Sequence, residues 1–264
     1  MLIFRKSEEY YADQTAHTLL KDNNLADFEA LWKLDAGWFE EPNQRRGGWS
    51  GVSRYQMANG EYLFIKRQQN HIYRALMTFF LPRATFEREF VNLLRFQKLG
   101  IPALDLVYFG QRKVDGNLQS IIATRELKGF KPLDAADFQP IAKFDRVSRL
   151  KLIETTANTI RSMHDLRIQH NCLYLKHIFV KVSDTDQVEA RLIDLEKAKW
   201  RPRRRLAIIR DFVSLQRHTV GWSNTDRLRF FLKYQQEQRL SASSKELLTK
   251  ILLQIARKNK PHKL

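Results

Sequence analysis

The sequence has almost no cysteine and no long uncharged hydrophobic run. Cys172 is the only cysteine among 264 residues, which excludes an intrachain disulfide and a four-cysteine zinc site. A single thiol suits a reducing cytoplasm. No stretch approaches about 18 apolar residues without a charge, so we predict no membrane-spanning helix. The opening residues MLIFRKSEEYYADQ soon turn acidic, so we expect no secretory signal and predict a cytoplasmic protein.

Acidic residues are too few to balance the basic ones. There are 29 Asp and Glu against 46 Lys and Arg, a net charge of +17. Such a surface attracts nucleic acid, anionic membrane or phosphorylated glycolipid. The sequence contains no zinc-finger, helix-turn-helix or RNA-recognition signature, so charge alone supports a nucleic acid partner only weakly. Nonspecific polyanion binding is therefore the third and weakest of three hypotheses, and the motifs described below give the other two.

Glycine and proline are also scarce, with 10 and 7 residues, and 43% of the chain is hydrophobic. Together these values exclude collagen-like and disordered chains and predict a folded core. The N-terminal half favours strands: 52–57 and 61–68 alternate around the turn dipeptide Asn59-Gly60, and 103–127 reads as two more strands around Asp115-Gly116. Helical spacing appears at 25–34 and 85–99.

The C-terminal half favours helices. Residues 146–166 form a long helical pattern, two short strands follow at 177–182 and 189–195, and 206–258 is mostly helical and basic. A β-rich half followed by a helical half predicts a bilobal α+β protein. We place the N-terminal domain at 1–130 and the C-terminal domain at 131–264.

Several residues suited to binding a nucleotide triphosphate occur in a suggestive order. Glycines allow backbone N–H groups to approach phosphate oxygens, a strand lysine held by a helix glutamate can bind phosphates, and an aspartate after a strand can ligate Mg²⁺. Each signal alone is weak, since lysines in strands usually face solvent. In chain order the residues are Gly47, Gly48, Gly51, Lys66, Glu87 or Glu89, His170, His177 and Asp194.

This order resembles the lipopolysaccharide kinase family, and most closely its InaA-like branch. The resemblance implies a protein-kinase-like fold, with a small β-rich N-lobe and a larger helical C-lobe. It also implies ATP- and Mg²⁺-dependent phosphorylation of core sugars at the cytoplasmic face of a Gram-negative inner membrane. The segments that carry it are EEPNQRRGGWSGV (40–52), IKR (65–67), QHNCLYLKHIFVK (169–181), LIDLEKAKWRPRRR (192–205) and RDFVSL (210–215).

The resemblance assigns roles to residues on the nucleotide-binding side. Gly47, Gly48, Ser50 and Gly51 match the loop that covers the phosphates. Lys66 matches the lysine that pairs with them. Glu89 matches the helix glutamate that positions this lysine, with Glu87 as the alternative.

On the catalytic side, His170 matches the histidine of the kinase catalytic loop. Asp194 and His177 match the two metal ligands. Asp211 resembles the buried aspartate that braces the loop, and His164 matches a structural position. The resemblance implies that Lys66 and Asp194 face opposite sides of one bound triphosphate.

One position departs from the kinase pattern. The catalytic-base aspartate would fall at position 172, where this sequence has Cys172. A thiolate can act as a base, but an ordinary thiol with a pKa of about 8.5 is mostly neutral at pH 7. Cys172 is therefore either a weak base or a packing residue. The second hypothesis is thus a pseudokinase that acts as a stress-linked regulator.

Two basic segments suggest how an acceptor is met. Arg201, Arg203, Arg204 and Arg205 follow Asp194, in the place of a kinase activation segment. These arginines have two interpretations. They form either a clamp that binds a phosphorylated sugar or an anionic glycolipid, or a solvated loop. The basic amphipathic stretch 245–263 either closes the C-terminal lobe or makes peripheral contact with the inner membrane.

Overall fold

The computed structural model describes residues 8–45, 47–74, 81–183, 185 and 187–259. They form two compact units. The N-terminal unit draws on Met1–Lys98 and Leu104–Lys128, and the C-terminal unit on Leu99–Ala103 and Gly129–Leu264. Along the chain the units divide at 98/99, 103/104 and 128/129, and the domain boundary at 130/131 stays a prediction. Parts of four predicted segments lie outside the described residues: 1–7, position 46 of the segment 40–52, two positions of the turn 183–187, and 260–263.

A six-stranded antiparallel sheet forms the centre of the N-terminal unit. Its spatial order is β1-β7-β8-β4-β3-β2. The strands are β1 (Glu8–Tyr11), β2 (Glu40–Arg45), β3 (Gly48–Gln56), β4 (Tyr62–Gln69), β7 (Leu106–Val114) and β8 (Asn117–Arg125). A separate two-stranded sheet pairs β5 (Ile72–Tyr73) with β6 (Arg83–Ala84).

Helices cover the two faces of this sheet differently. The helices α1 (Gln14–Asp22) and α2 (Phe28–Lys33) pack on one face. Helix α3 (Thr85–Lys98) packs on the other, where Phe90 stacks on Phe109 with ring centroids 4.3 Å apart. Side chains alternate along β4, so Ile65 enters the α1/α2 core whereas Lys66 faces α3. The sheet therefore has a structural face, which α1 and α2 cover, and an opposite face on which Lys66 meets Glu89 of α3.

Arg67 fastens the segment after α2 to the structural face. It is 6% exposed, and its Nη1 donates to the backbone oxygens of Trp32 and Leu34, both at 2.8 Å. Its Nη2 donates to Ser53 Oγ at 2.9 Å, and its guanidinium lies 4.4 Å from the Trp38 ring centroid. Hydrogen bonds and a cation–π contact thus compensate part of the burial of this charge. The buried Nε of Arg67 has no hydrogen-bond partner among the described residues, and burial lowers the pKa of Arg67.

The C-terminal unit is mainly helical. Asp145 caps α4 (Arg146–Asp165) by accepting from the N–H groups of Val147 and Ser148, which fixes the start of the long predicted helix. Helix α4 packs against α6 (Asn224–Gln235), and α5 (Arg204–His218) packs against α7 (Ala242–Asn259). Short strands complete the unit: β9 (Lys131–Pro132), β10 (Ile168–Gln169), β11 (Ile178–Val182), β12 (Val188–Leu192) and β13 (Lys199–Trp200).

The structure confirms the predicted α+β class and most elements within a few residues. The predicted strands, hairpin turns and long helices correspond to β3, β4, β7, β8, β11, β12 and α2 to α7. The strand β1, helix α1 and strand β2 were not predicted. Within the described ranges, no helix is long and apolar enough to span a bilayer.

Candidate active site

The glycine-rich segment forms the hairpin between β2 and β3. Arg45 pairs with Gly48 across it, and Gly47 lies in its turn. A Cβ on Gly48 would come within 2.4 Å of the Gln69 backbone oxygen, and one on Gly51 within 2.6 Å of the Trp38 ring. Close packing therefore requires both glycines. Ser50 pairs with Gln68 and shares the Lys66 face, whereas Gly51 pairs with Arg67 on the structural face.

Lys66 is held by a buried glutamate. Its Nζ lies 2.7 Å from Glu89 Oε1, and the Glu89 side chain is only 3% exposed. Lys66 sits in the middle of β4, between Val52 of β3 and Ile122 of β8. The rigid sheet and α3 thus fix the ammonium group from two sides, an arrangement suited to a phosphate-binding point charge.

Glu87, the alternative partner, lies elsewhere. Its Oε1 is 3.5 Å from Arg83 Nη1, and its Oε2 is buried without a hydrogen-bond partner among the described residues. Burial raises the pKa of Glu87, while Arg83 and a hydrogen bond from Gln111 partly oppose that rise. The two glutamates of α3 therefore have different environments, and Glu89 is the one that meets Lys66.

In the C-terminal unit, Asp211 braces the predicted catalytic loop. Its Oδ2 accepts from the His170 backbone N–H at 2.7 Å and from His164 Nε2 at 3.0 Å, and its Oδ1 accepts from the Asn171 N–H at 2.8 Å. His164 Nδ1 lies 2.8 Å from the Tyr234 hydroxyl. Because these bonds join helices α4, α5 and α6 to the loop backbone, they hold its path regardless of the side chain at position 172.

His170 is fully buried and connects this loop to the segment before Asp194. Its Nε2 donates to the Ile193 backbone oxygen at 2.9 Å, so its Nδ1 carries the lone pair. Burial lowers the pKa of His170, which keeps the imidazole neutral. This geometry favours a positioning role for His170, because the ring has no exposed atom to offer a substrate.

His177 and Asp194 lie together and can contribute to a metal site. His177 Nε2 is 3.4 Å from Asp194 Oδ2. His177 Nδ1 donates to the Cys172 backbone oxygen at 2.7 Å, which leaves the lone pair on Nε2, the form that a metal ligand needs. Asp194 has a left-handed backbone (φ 58°, ψ 56°), a conformation that aspartate tolerates better than most residues.

This pair fits the way Mg²⁺ is bound beside a nucleotide. Among the described residues, no three His, Cys, Asp or Glu side chains form a self-sufficient metal cluster. Mg²⁺ commonly takes only one or two protein ligands and completes its shell with phosphate oxygens and water. One carboxylate and one imidazole nitrogen are therefore enough for such a site, although oxygen is the preferred donor.

Cys172 is partly buried and has a cation for a neighbour. Burial raises the pKa of its thiol, and the nearby Lys197 ammonium, which is in hydrogen-bonding reach, opposes this only in part. The carboxylate of Asp194 also disfavours the thiolate. The thiol is therefore neutral at pH 7 and is a poor general base there.

Three of the four arginines in the predicted acceptor clamp contact neighbours within the unit. Arg201 Nε donates to Gln169 Oε1 at 2.6 Å, Arg204 Nη2 lies 2.8 Å from Asp165 Oδ1, and Arg205 Nη2 lies 3.0 Å from Glu246 Oε1. Arg203 is exposed at the N-cap of α5 and has no ion pair among the described residues. The acceptor clamp stays a prediction.

Comparison with known proteins identifies the family. The model of the Lipopolysaccharide kinase (Kdo/WaaP) family matches residues 29–234. The chain belongs to the lipopolysaccharide kinase family. It is 30% identical over 195 residues to Protein InaA of Escherichia coli (strain K12), which covers 73% of this chain and 88% of that protein.

A solved structure supports the fold of this lipopolysaccharide kinase family member. The structure described as WaaP in complex with acyl carrier protein matches with a TM-score of 0.66 and 20% identity. The match covers 95% of this chain and 97% of that one. At this identity the likeness shows the fold alone.

Some site residues of this family member were missed by the sequence analysis. Lys197, inside the segment LIDLEKAKWRPRRR (192–205), has no predicted role of its own, whereas the structure places it against Cys172. Arg210 and Lys258 line a cavity beside the predicted catalytic loop, and neither is singled out from the sequence. The spacing of Leu206, Arg210 and Ser214 along α5 could have indicated a shared face, but not what that face adjoins.

Proposed function

We propose that this protein transfers the γ-phosphoryl group of ATP to a sugar hydroxyl of an anionic glycolipid of the lipopolysaccharide core. Membership of the lipopolysaccharide kinase family supports a kinase-like function connected with lipopolysaccharide. The observation that carries the proposal is the ion pair between Lys66 and the buried Glu89. A carboxylate with 3% exposure that meets a strand lysine supports a role beyond surface charge.

Each part of the site has a role in this proposal. Lys66 binds phosphate oxygens of the nucleotide, and backbone N–H groups of the hairpin around Gly47 and Gly48 cover them. Asp194 and His177 would hold Mg²⁺, which neutralises charge on the phosphates when bound. His170 and Asp211 keep the catalytic loop and the segment before Asp194 in place.

The reaction needs no strong base. The acceptor hydroxyl oxygen forms a bond to the γ-phosphorus, the bond from that phosphorus to the β-γ bridging oxygen breaks, and the hydroxyl proton leaves to solvent. Phosphoryl transfer depends mainly on positioning and charge neutralisation, so a neutral thiol at position 172 slows transfer without preventing it. The same proposal places the protein in the cytoplasm, in peripheral contact with the inner membrane where this acceptor is made.

One observation favours a second function. The raised pKa of Cys172 leaves the loop without a general base at neutral pH. A protein that binds ATP but transfers phosphate too slowly to matter would act as a regulator, through the conformation that nucleotide binding stabilises. This pseudokinase function shares the nucleotide site and differs only in turnover.

The decisive experiment measures transfer of labelled γ-phosphate from ATP to purified, dephosphorylated lipopolysaccharide core, with Mg²⁺. The proposal predicts incorporation by the natural protein and a loss of at least about 100-fold in the Asp194→Asn variant. Equal rates for the two proteins would overturn it. ATP binding without incorporation would establish the pseudokinase function instead, provided that circular dichroism shows both proteins folded.

A further inference from the structure

A cavity lies beside the catalytic loop, within the C-terminal unit. It has a volume of about 410 Å³, which falls in the range of small-molecule sites. Asn171 and Tyr174 of the loop form one wall, and Arg210 of α5 and Lys258 of α7 belong to the others. Asn171 precedes Cys172 in the chain, so the cavity shares one wall with the loop that carries the position of the kinase catalytic residue.

The charge of this cavity has one sign. Arg210, Arg217 and Lys258 line it, and none of its lining residues is acidic. Arg217 donates to Asn259 Oδ1 at 2.9 Å and to the Lys258 backbone oxygen at 3.4 Å. Both partners are neutral, so its positive charge is not cancelled. Arg210 and Lys258 are exposed, and neither has a side-chain ion pair within the described part of the chain.

Uncharged groups in the same cavity suit a sugar. Asn171 and Gln254 supply amides, which can donate to and accept from hydroxyl groups. Gln169 is 1% exposed and supports Asn171 from behind. Leu206 and Ile209 supply an apolar surface that can contact the C–H face of a pyranose ring. The Gln169 amide is held in place, since its Nε2 donates to Asn171 Oδ1 and its Oε1 accepts from Arg201.

We infer that this cavity binds the anionic sugar of the acceptor, with Arg210, Arg217 and Lys258 around its phosphate or carboxylate group. The binding site stands on the geometry of the C-terminal unit alone, whereas its role as an acceptor site rests on the proposed function. It differs from the predicted clamp at Arg201–Arg205, where three of the four side chains contact neighbours within the unit. The cavity instead keeps three cations available to a ligand.

The test is calorimetric titration without nucleotide, with glucose 6-phosphate and glucose as probes. We expect glucose 6-phosphate to bind, glucose to bind at least about tenfold more weakly, and added salt to weaken only the former. The double substitution Arg210→Gln and Lys258→Gln should weaken glucose 6-phosphate binding by about tenfold or more. The matched control, Arg239→Gln with Lys245→Gln, removes two exposed charges of the same unit and should change binding less than about twofold.

Three results of the titrations would overturn the inference. They are equal losses in the test and control variants, equal affinity for glucose and its phosphate, and a loss in Arg203→Gln as large as in the double variant. Vesicles of phosphatidylglycerol provide an anionic surface without a sugar. If the double variant lost vesicle binding but kept glucose 6-phosphate binding, the cations would serve a lipid surface and the inference would fail.

Thermal unfolding checks that the variants remain folded. If Arg210→Gln does not remain folded, Arg210→Lys is measured in its place, and it keeps the positive charge. Because no nucleotide is present, failure here leaves phosphoryl transfer untouched. Conversely, the protein could bind sugar phosphate but transfer no phosphate from ATP. That result would support the cavity as a binding site and refute the kinase function.

Discussion

The N-terminal unit has the complete set of side chains that the kinase pattern requires there, whereas the C-terminal unit lacks one of its set. In the N-terminal unit, Lys66 and Glu89 form the full pair that the kinase pattern requires. In the C-terminal unit, Asp211 keeps the loop frame through bonds to backbone N–H groups, but Cys172 replaces the catalytic carboxylate. The comparison shows that hydrogen bonds to the loop backbone hold the loop in place without fixing which side chain stands at position 172. Fold and nucleotide contacts can therefore persist while the base changes.

The sharpest test of this difference restores the carboxylate. In Cys172→Asp, we expect phosphoryl transfer to rise by about 10²–10⁴-fold, the usual contribution of a general base. Cys172→Ser is the control for volume and should leave the rate unchanged near neutral pH. Steady-state transfer to lipopolysaccharide core measures both. A rate that falls in Cys172→Asp would show that the loop has adapted to the thiol and Lys197.

The loop frame is tested by removing its brace. Asp211→Asn places an NH₂ group against a backbone N–H, so we expect about 3 kcal/mol less free energy of unfolding in urea. The control is Asp165→Asn, at an exposed ion pair with Arg204, which should cost less than about 1 kcal/mol. Similar costs for both variants would contradict the bracing role of Asp211.

The pair in the N-terminal unit is tested through ATP affinity, which both candidate functions share. In Glu89→Gln, Lys66 loses its carboxylate partner, so we expect ATP to bind about tenfold more weakly. Calorimetric titration with ATP and Mg²⁺ gives the dissociation constant. Glu87→Gln makes the same change two residues earlier on α3 and should not alter it. An effect in Glu87→Gln alone would reverse the assignment.

The smallest effect concerns stability. Burial raises the pKa of Glu87 in the folded protein, so the folded state favours the protonated carboxyl. The contribution of Glu87 to stability is therefore greatest below its unfolded pKa, about 4.3, and is lost as pH rises through the folded pKa. Glu87→Gln should raise the melting temperature at pH 7 but not at pH 4. Differential scanning calorimetry at both values checks this, and an equal change would contradict it.

The sequence predicted the elements with strong local signals. Asn59-Gly60 and Asp115-Gly116 identified two hairpins, and the periodicity of 85–99 and 146–166 identified α3 and α4. The strand β1 was missed because it is short and half exposed, and it is fixed by pairing with the distant β7. Local pattern carries no information about such a partner.

For the site residues as well, local sequence signals predicted some contacts, and long-range packing determined the others. Motif order brought Lys66, Glu89, His177 and Asp194 forward, and the structure pairs them two by two. It could not show that Arg204 and Arg205 meet acids on other elements, or that Arg210 lines a cavity. Those facts depend on how helices pack against each other, which helical spacing alone does not specify.

The hydrogen bonds of Arg67 have a consequence for how this protein can be shortened or altered. Two of its three partners are backbone oxygens, at Trp32 and Leu34, so side-chain changes at those positions would leave the bonds intact. Removing the segment together with α1 and α2 would instead expose the apolar sheet face that they cover, including Leu63, Ile65 and Ile121. Versions trimmed to start at the first strand of the glycine-rich hairpin should therefore be insoluble, even though every candidate catalytic group is retained.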